Sequence, residues 1–265
     1  MGNRKALFFD IDGTLLSEGR DRKVPESARK ALLQAREKGH LVFVNTGRTW
    51  CETKEVRHLI DADGWLCGCG TYLMAEGEVL YDWRISPERG AQLIQLIRDC
   101  GMDGVLEGVE ACYMQKAPSP TRAVEQCRQD FSALGIVSEK TWDNEDISFS
   151  KFCLVTDENS CLERFKEETR EDLEVIDRGS AFVEVVPREN SKAAAIERIL
   201  CRYGLSLEDA WVFGDSMNDL SMFQYAQNAV LMGRHDKELE PYASFITKTV
   251  EEDGIAFAME KFGLI

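Results

Sequence analysis

Short apolar runs that stop at a small or polar residue recur along this chain, with segments of helical spacing between them. Residues 6–9, 40–45, 64–66, 211–213 and 228–233 show little polar alternation. Such runs predict short strands buried on both faces of a parallel sheet. A polar loop at 17–23 follows the first run. Pro25 then opens a helix in which Ala28, Leu32, Leu33 and Ala35 recur at helical spacing until Gly39. Further helices are predicted over 49–59, from Ser191 through 203 with Ala195, Ile196 and Ile199 inward, from Asp219 to 223, and over 252–262. Residues 72–74 and 79–81 read as a hairpin around Glu76-Gly77, and 244–247 as a last short strand. A strand, a helix and a parallel strand form a unit of nearly fixed right-handedness. The ends of the first two strands, at Asp10 and Thr46, therefore fall on one edge of the sheet.

From residue 83 the pattern changes. An amphipathic helix over 87–100 carries Leu93, Ile94 and Ile97. Short strands at 105–107, 112–114, 149–155, 173–176 and 182–185 then interleave with helices at 121–134 and 162–168. Such a mixture predicts an α+β layer. The chain reads as an α/β domain, residues 1–82 and 188–265, interrupted by an inserted domain at 83–187.

Polar groups gather where the strands end. The first run stops at Asp10-Ile11-Asp12-Gly13-Thr14, and ligand sites of open parallel sheets lie beyond the carboxyl ends of strands. In extended chain residues i and i+2 face one side, so Asp10 and Asp12 are expected to share a pocket. Two close carboxylates repel, and a divalent cation relieves that repulsion. The second run ends in Thr46-Gly47-Arg48, where a hydroxyl and neighbouring N–H groups suit a phosphoryl oxygen. Lys192 stands in the first turn of its helix, an unfavourable end for a cation, so a partner is expected. The strand at 211–213 ends in Gly214-Asp215-Ser216-Met217-Asn218-Asp219, a second apolar strand with a carboxylate at its tip. Each piece also has a plainer reading: an acidic turn, a Thr46 cap, a solvated lysine, an acidic helix start at Asp219.

Composition narrows the field. The 265 residues, 44% of them hydrophobic, suffice for one large domain or two modest ones. A formal net charge of −15 argues against a nucleic-acid partner, which calls for clustered Lys and Arg. The nine cysteines are scattered without zinc spacing, as expected of free thiols in a reducing cytosol. No apolar run approaches the length of a membrane span. A soluble, cytoplasmic protein with no membrane partner is expected, as a monomer or weak homodimer.

Taken together, Asp-x-Asp-Gly-Thr-Leu at 10–15, Thr-Gly-Arg at 46–48, Ser-Lys at 191–192 and Gly-Asp-Ser-x-Asn-Asp at 214–219 resemble the four motifs of the haloacid dehalogenase (HAD) superfamily. The insert between the second and third motifs resembles the type IIB cap of the Cof-like branch, as does Val183-Glu184-Val185-Val186-Pro187. Two positions depart from that branch: Cys69-Gly70-Thr71 stands where Asn-Gly-Ala is usual, and Ala193 where glycine is. The resemblance implies a Rossmann-like core with an inserted cap that chooses the substrate. It also implies a Mg²⁺-dependent phosphatase acting on a small phosphorylated metabolite. In the implied mechanism Asp10 is the nucleophile and Asp12 the general acid–base. Mg²⁺ is held by the Asp10 carboxylate, the Asp12 carbonyl and Asp215, with Asp219 in support. Thr46, Gly47, Arg48, Lys192 and Asn218 hold the phosphoryl group. The loop at 17–22, Arg48 and Arg178 are further candidates for substrate contact. A phosphotransferase or sugar phosphomutase on the same core, or a non-catalytic phosphometabolite-binding protein, are the alternatives.

Overall fold

The structure, a computed structural model, describes residues 4–265 except 18, 20, 21 and 180. Three residues of the loop expected at 17–23 thus lie outside the described residues. In chain order the elements are β1 (Ala6–Phe9), α1 (Glu26–Glu37), β2 (Leu41–Asn45), β3 (Gly64–Cys67), β4 (Tyr72–Ala75), β5 (Glu78–Asp82) and α2 (Pro87–Asp99). Then come β6 (Asp103–Glu107), β7 (Cys112–Met114), α3 (Arg122–Leu134), β8 (Val137–Thr141), β9 (Lys151–Val155), α4 (Leu162–Thr169), β10 (Leu173–Asp177) and β11 (Phe182–Pro187). The chain closes with α5 (Lys192–Tyr203), β12 (Ala210–Gly214), α6 (Leu220–Tyr225), β13 (Asn228–Leu231), β14 (Phe245–Ile246) and α7 (Gly254–Lys261).

The chain divides into two compact units. The first comprises the chain up to Gly47, Val56–Tyr81 and Ser191–Ile265. Its eight-stranded sheet has the order β14-β13-β12-β1-β2-β3-β4-β5, parallel from β14 to β3 and antiparallel at β3–β4. The chain builds β2 and β3 on one side of β1, then returns to build β12 and β13 on the other. The switch point therefore lies between β1 and β12, where open sheets place their ligands. β1, β2 and β3 are buried along their whole length, which accounts for the absence of polar alternation. Ala195, Ile196 and Ile199 of α5 and Met222 and Phe223 of α6 pack against the sheet residues Phe8, Phe43 and Val212. In α1, Ala28, Leu32 and Ala35 are buried, but Leu33 is 45% exposed; at one residue from Leu32 it turns off the inward stripe.

The second unit comprises Arg48–Glu55 and Asp82–Asn190. Its six-stranded sheet, β10-β11-β9-β6-β7-β8, is antiparallel except for the parallel β7–β8 pair. Leu93 and Ile97 of α2 and Phe165 of α4 join Leu106, Phe152, Leu154 and Val185 in one apolar cluster. A second cluster unites Val105, Cys112 and Met114 with Val124 of α3, Ile136 and Cys51. Cys51 is the reason that Arg48–Glu55, assigned to the α/β domain by its sequence pattern, groups with this unit. The helix expected over 49–59 is instead two short 3₁₀ segments, Cys51–Glu55 and Arg57–Leu59. β8 was not anticipated; it is a polar, partly exposed strand at the sheet edge. All nine cysteines are free thiols. No helix among the described residues is long and apolar enough to cross a membrane.

Candidate active site

Three adjacent strands of the first unit end at one level. Phe9 of β1 pairs in register with Phe213 of β12 and with Val44 of β2. Asp10, Asp215 and Thr46 follow at those strand ends. Asp10 keeps the pairing one step further, its N–H donating to the Phe213 carbonyl at 3.0 Å.

Beyond Asp10 the chain leaves the extended conformation. The Ile11 carbonyl accepts N–H bonds from Thr14, Leu15 and Leu16 at 3.3, 3.0 and 2.7 Å, which closes a tight turn. Gly13 adopts φ +80°, and a Cβ there would collide with the Asp215 carboxylate. Only glycine combines that backbone with that approach. The turn sets Asp12 at the edge of the site: its carboxylate lies outside the buried group of Asp10, Asp215 and Asp219, yet close enough for its charge to raise the Asp10 pKa. The Asp12 carboxylate is 43% exposed and pairs with the Arg22 guanidinium at 2.9 Å.

Lys192 enters from the first turn of α5. Ser191 caps that helix, its hydroxyl accepting the Ala194 N–H at 3.1 Å. The lysine side chain is fully buried, with Nζ 2.6 Å from Asp10 Oδ1 and 2.5 Å from Asp219 Oδ1, and 3.4 Å from Asn218 Oδ1. The partner expected for a cation at a helix start is thus two carboxylates. The other oxygen of Asp219 accepts the N–H groups of Asp215 and Ser216 at 2.9 and 3.2 Å. Asp219 therefore braces both the lysine and the loop that carries Asp215. Asp236 braces the same loop from outside, donating its N–H to the Asp215 carbonyl at 2.8 Å and accepting the Met217 N–H at 2.8 Å.

Asp10, Asp215 and Asp219 are all buried, each with a carboxylate oxygen within 4.8 Å of the others. One lysine does not neutralise three carboxylates. Burial, then repulsion from Asp10 and Asp219, pushes Asp215 up to about 8. Asp10 is pushed up to about 7, burial outweighing the attraction of Lys192. Burial alone would lower Lys192, but Asp10 and Asp219 outweigh it and hold the amine above the ordinary lysine range. A group of hard oxygen donors with excess negative charge fits a divalent cation. Asp219 has both oxygens engaged, so Asp10 and Asp215 are the better-placed ligands.

The remaining candidates fall as follows. Thr46 is buried, and its N–H donates to the Leu66 carbonyl at 2.8 Å. Gly47 ends the first stretch of the first unit, whereas Arg48 belongs to the second, where its guanidinium meets Glu55 at 2.8 Å. Arg178 lies 3.8 Å from Glu184. The sequence reading assigned no role to Thr14, whose hydroxyl donates to Asp215 Oδ1 at 2.8 Å, or to Asn45, which donates to the Lys192 carbonyl at 3.0 Å. Asn45 had a visible signal, a polar residue closing an otherwise apolar strand.

Comparison with known proteins agrees with this arrangement. Residues 7–259 match the family model described as haloacid dehalogenase-like hydrolase. A hypothetical protein from Geobacillus kaustophilus HTA426 is 27% identical with a TM-score of 0.86, covering 99% of this chain and 100% of that one. The subclass IIB sugar phosphatase BT4131 is 28% identical with a TM-score of 0.82, covering 98% and 100%. A phosphoglycolate phosphatase from Methanothermobacter thermautotrophicus is 28% identical, covering 97% and 98%. With buried carboxylates at the switch point of a parallel sheet, an inserted α+β unit and a family match over nearly its whole length, the chain belongs to the haloacid dehalogenase-like hydrolases.

Proposed function

We propose that the protein is a Mg²⁺-dependent phosphatase that hydrolyses a small phosphorylated metabolite, a sugar phosphate or similar phosphomonoester, through an aspartyl-phosphate on Asp10. The observation that carries this reading is the setting of Asp10. One oxygen is held by Lys192 at 2.6 Å, while the other takes no hydrogen bond from the described residues. The relatives named above include a sugar phosphatase and a phosphoglycolate phosphatase.

Asp10, Asp215 and the Asp12 carbonyl would hold Mg²⁺, with Thr14 and Asp219 fixing Asp215 from either side. A cation held by those groups would withdraw charge from the phosphoryl oxygens and offset the repulsion between carboxylate and phosphate. The chain's own groups account for the rest. The free Asp10 oxygen attacks phosphorus as the ester P–O bond breaks. Lys192, the Thr46 hydroxyl and Asn218 hold the equatorial oxygens and keep them in line. Asp12 gives its proton to the departing oxygen, which requires its carboxyl to leave the Arg22 pair. It then takes a proton from the water that attacks the phospho-aspartate, releasing phosphate and restoring Asp10. The phosphoryl-binding groups do not read the leaving group, so we assign that choice to the inserted domain at 83–187.

The test is phosphate release from a panel of phosphorylated metabolites and p-nitrophenyl phosphate, with and without Mg²⁺, for the wild type and Asp10→Asn. Release that needs both Mg²⁺ and Asp10 supports the reading. No release from any compound, with orthovanadate still bound, overturns it.

A further inference from the structure

Among the described residues only three buried side-chain polar atoms lack a hydrogen-bond partner: Oδ1 of Asn45 and both amide atoms of Asn190. Asn45 is fully buried at the last position of β2, between Val44 and Thr46. A buried acceptor without a donor is destabilising, and an aliphatic residue would end an apolar strand without that cost. The other half of the amide shows what the asparagine does there. Its Nδ2 donates to the Lys192 carbonyl at 3.0 Å and touches Met222 Sδ at 3.8 Å.

The position of that carbonyl matters. It sits in the first turn of α5, where the backbone carbonyl is already an intrahelical acceptor; the Asn45 bond uses its second lone pair and joins helix to sheet. The Ser191 cap lies within the helix and does not tie it to the strands. The apolar contacts of Ala195, Ile196 and Ile199 are non-directional and begin further along. The Asn45 bond is thus a directed link from the strand tip that carries Thr46 to the residue whose amine meets Asp10 and Asp219. A lysine amine stands on four rotatable carbons, and burial fixes it only as well as its own backbone is fixed.

We infer that Asn45 is a positioning residue: it pins the first turn of α5 to the end of β2 and so sets Lys192 and Thr46 in common register for one phosphoryl group. The inference rests on the phosphatase reading above. Removing the link lets the helix start shift while the carboxylates stay in place. Phosphoryl-group binding and turnover should then suffer, and cation binding should not.

The experiment compares Asn45→Leu, which has the same number and branching of side-chain heavy atoms and lacks the orphaned acceptor, with Asn45→Ala and with Val44→Ala as a core control on the same strand. For each, kcat and KM for p-nitrophenyl phosphate, inhibition by orthovanadate, Mg²⁺ affinity and Tm are measured, along with hydrogen exchange at the first amides of α5. Asn45→Leu is expected to keep or raise Tm and to bind Mg²⁺ within about twofold of wild type. Its kcat should fall and its vanadate inhibition constant should rise, each by about ten- to a hundredfold, the scale of loss for a misplacement of about 1 Å. Asn45→Ala should show the same losses with a lower Tm, and Val44→Ala a lower Tm alone. Wild-type kcat and vanadate inhibition in either Asn45 variant, or equal losses in Val44→Ala, overturn the inference. If Asn45→Leu does not fold, Asn45→Ala against Val44→Ala decides. Faster exchange at the start of α5 in the Asn45 variants than in the wild type, when the wild type hydrolyses no phosphomonoester, would preserve the link and remove the reading it serves.

Discussion

Cation binding at the carboxylate cluster should be driven by pH within the neutral range. A cation needs Asp10 and Asp215 ionised, and their carboxyls sit at about 7 and about 8. The fraction with both ionised is then about one in a thousand at pH 6 and about one half at pH 8. Apparent Mg²⁺ affinity should therefore rise several-hundredfold, roughly, between those pH values and level off above pH 9. Each Mg²⁺ bound at pH 7 should displace about 1.4 protons, against about 0.1 at pH 9. Isothermal titration in buffers of different ionisation enthalpy reads that number directly. Stability carries the opposite sign without metal. Both carboxyls are raised above their unfolded values, so between about pH 4 and pH 8 the folded chain holds protons the unfolded chain has lost. The contribution of these two groups to metal-free stability should be complete below about pH 4 and should fall as pH rises through that window. The increase in Tm on adding Mg²⁺ should be larger at pH 8 than at pH 6. Proton release near zero at pH 7, or affinity unchanged from pH 6 to pH 8, would refute the claim that these two carboxyls share the cation.

Three further outcomes follow from the geometry. Asp12→Asn should lose about 10²–10⁴-fold in turnover, the usual worth of a general acid–base, while Mg²⁺ affinity by titration stays near wild type; unchanged turnover would end the assignment of Asp12. Gly13→Ala should cost about 1–3 kcal/mol for the positive φ and abolish Mg²⁺ binding, because its Cβ displaces the Asp215 carboxylate; urea unfolding and metal titration report the two effects. In the second unit, buried Lys151 meets Glu107 and, at 2.9 Å, Glu184. Lys151→Met should lower stability by about 3–5 kcal/mol at pH 8. The loss should shrink at pH 5, because Glu107, already pushed up to about 7 by burial, is then protonated; a loss independent of pH would contradict that account.

Much of this protein is legible from the order of its residues, because the signals are local. Buried parallel strands have to be apolar throughout, so β1, β2, β3 and β12 announce themselves, and each strand ends where a polar residue can reach solvent or ligand. Lys192 at a helix start implied a partner, since a cation there opposes the helix dipole. Ser191 was legible as a cap for the same local reason.

Tertiary structure decided what depends on residues far apart in the chain. Cys51 reads as part of a helix after β2, but its apolar contacts are with Cys112, Met114 and Ile136, so its segment joins the second unit. The strand rule put Asp12 near Asp10, but it could not show that three N–H groups converge on the Ile11 carbonyl or that the Asp12 carboxylate pairs with Arg22. β8 carries too few apolar residues to announce itself and exists because β7 offers it an edge. The amide of Asn45 and the hydroxyl of Thr14 acquire their partners across 147 and 201 residues of chain. The raised carboxyls of Asp10 and Asp215 have the same origin. A sequence shows that an aspartate ends a strand, but burial and the distance to other charges set its pKa, and both exist only once the sheet has formed.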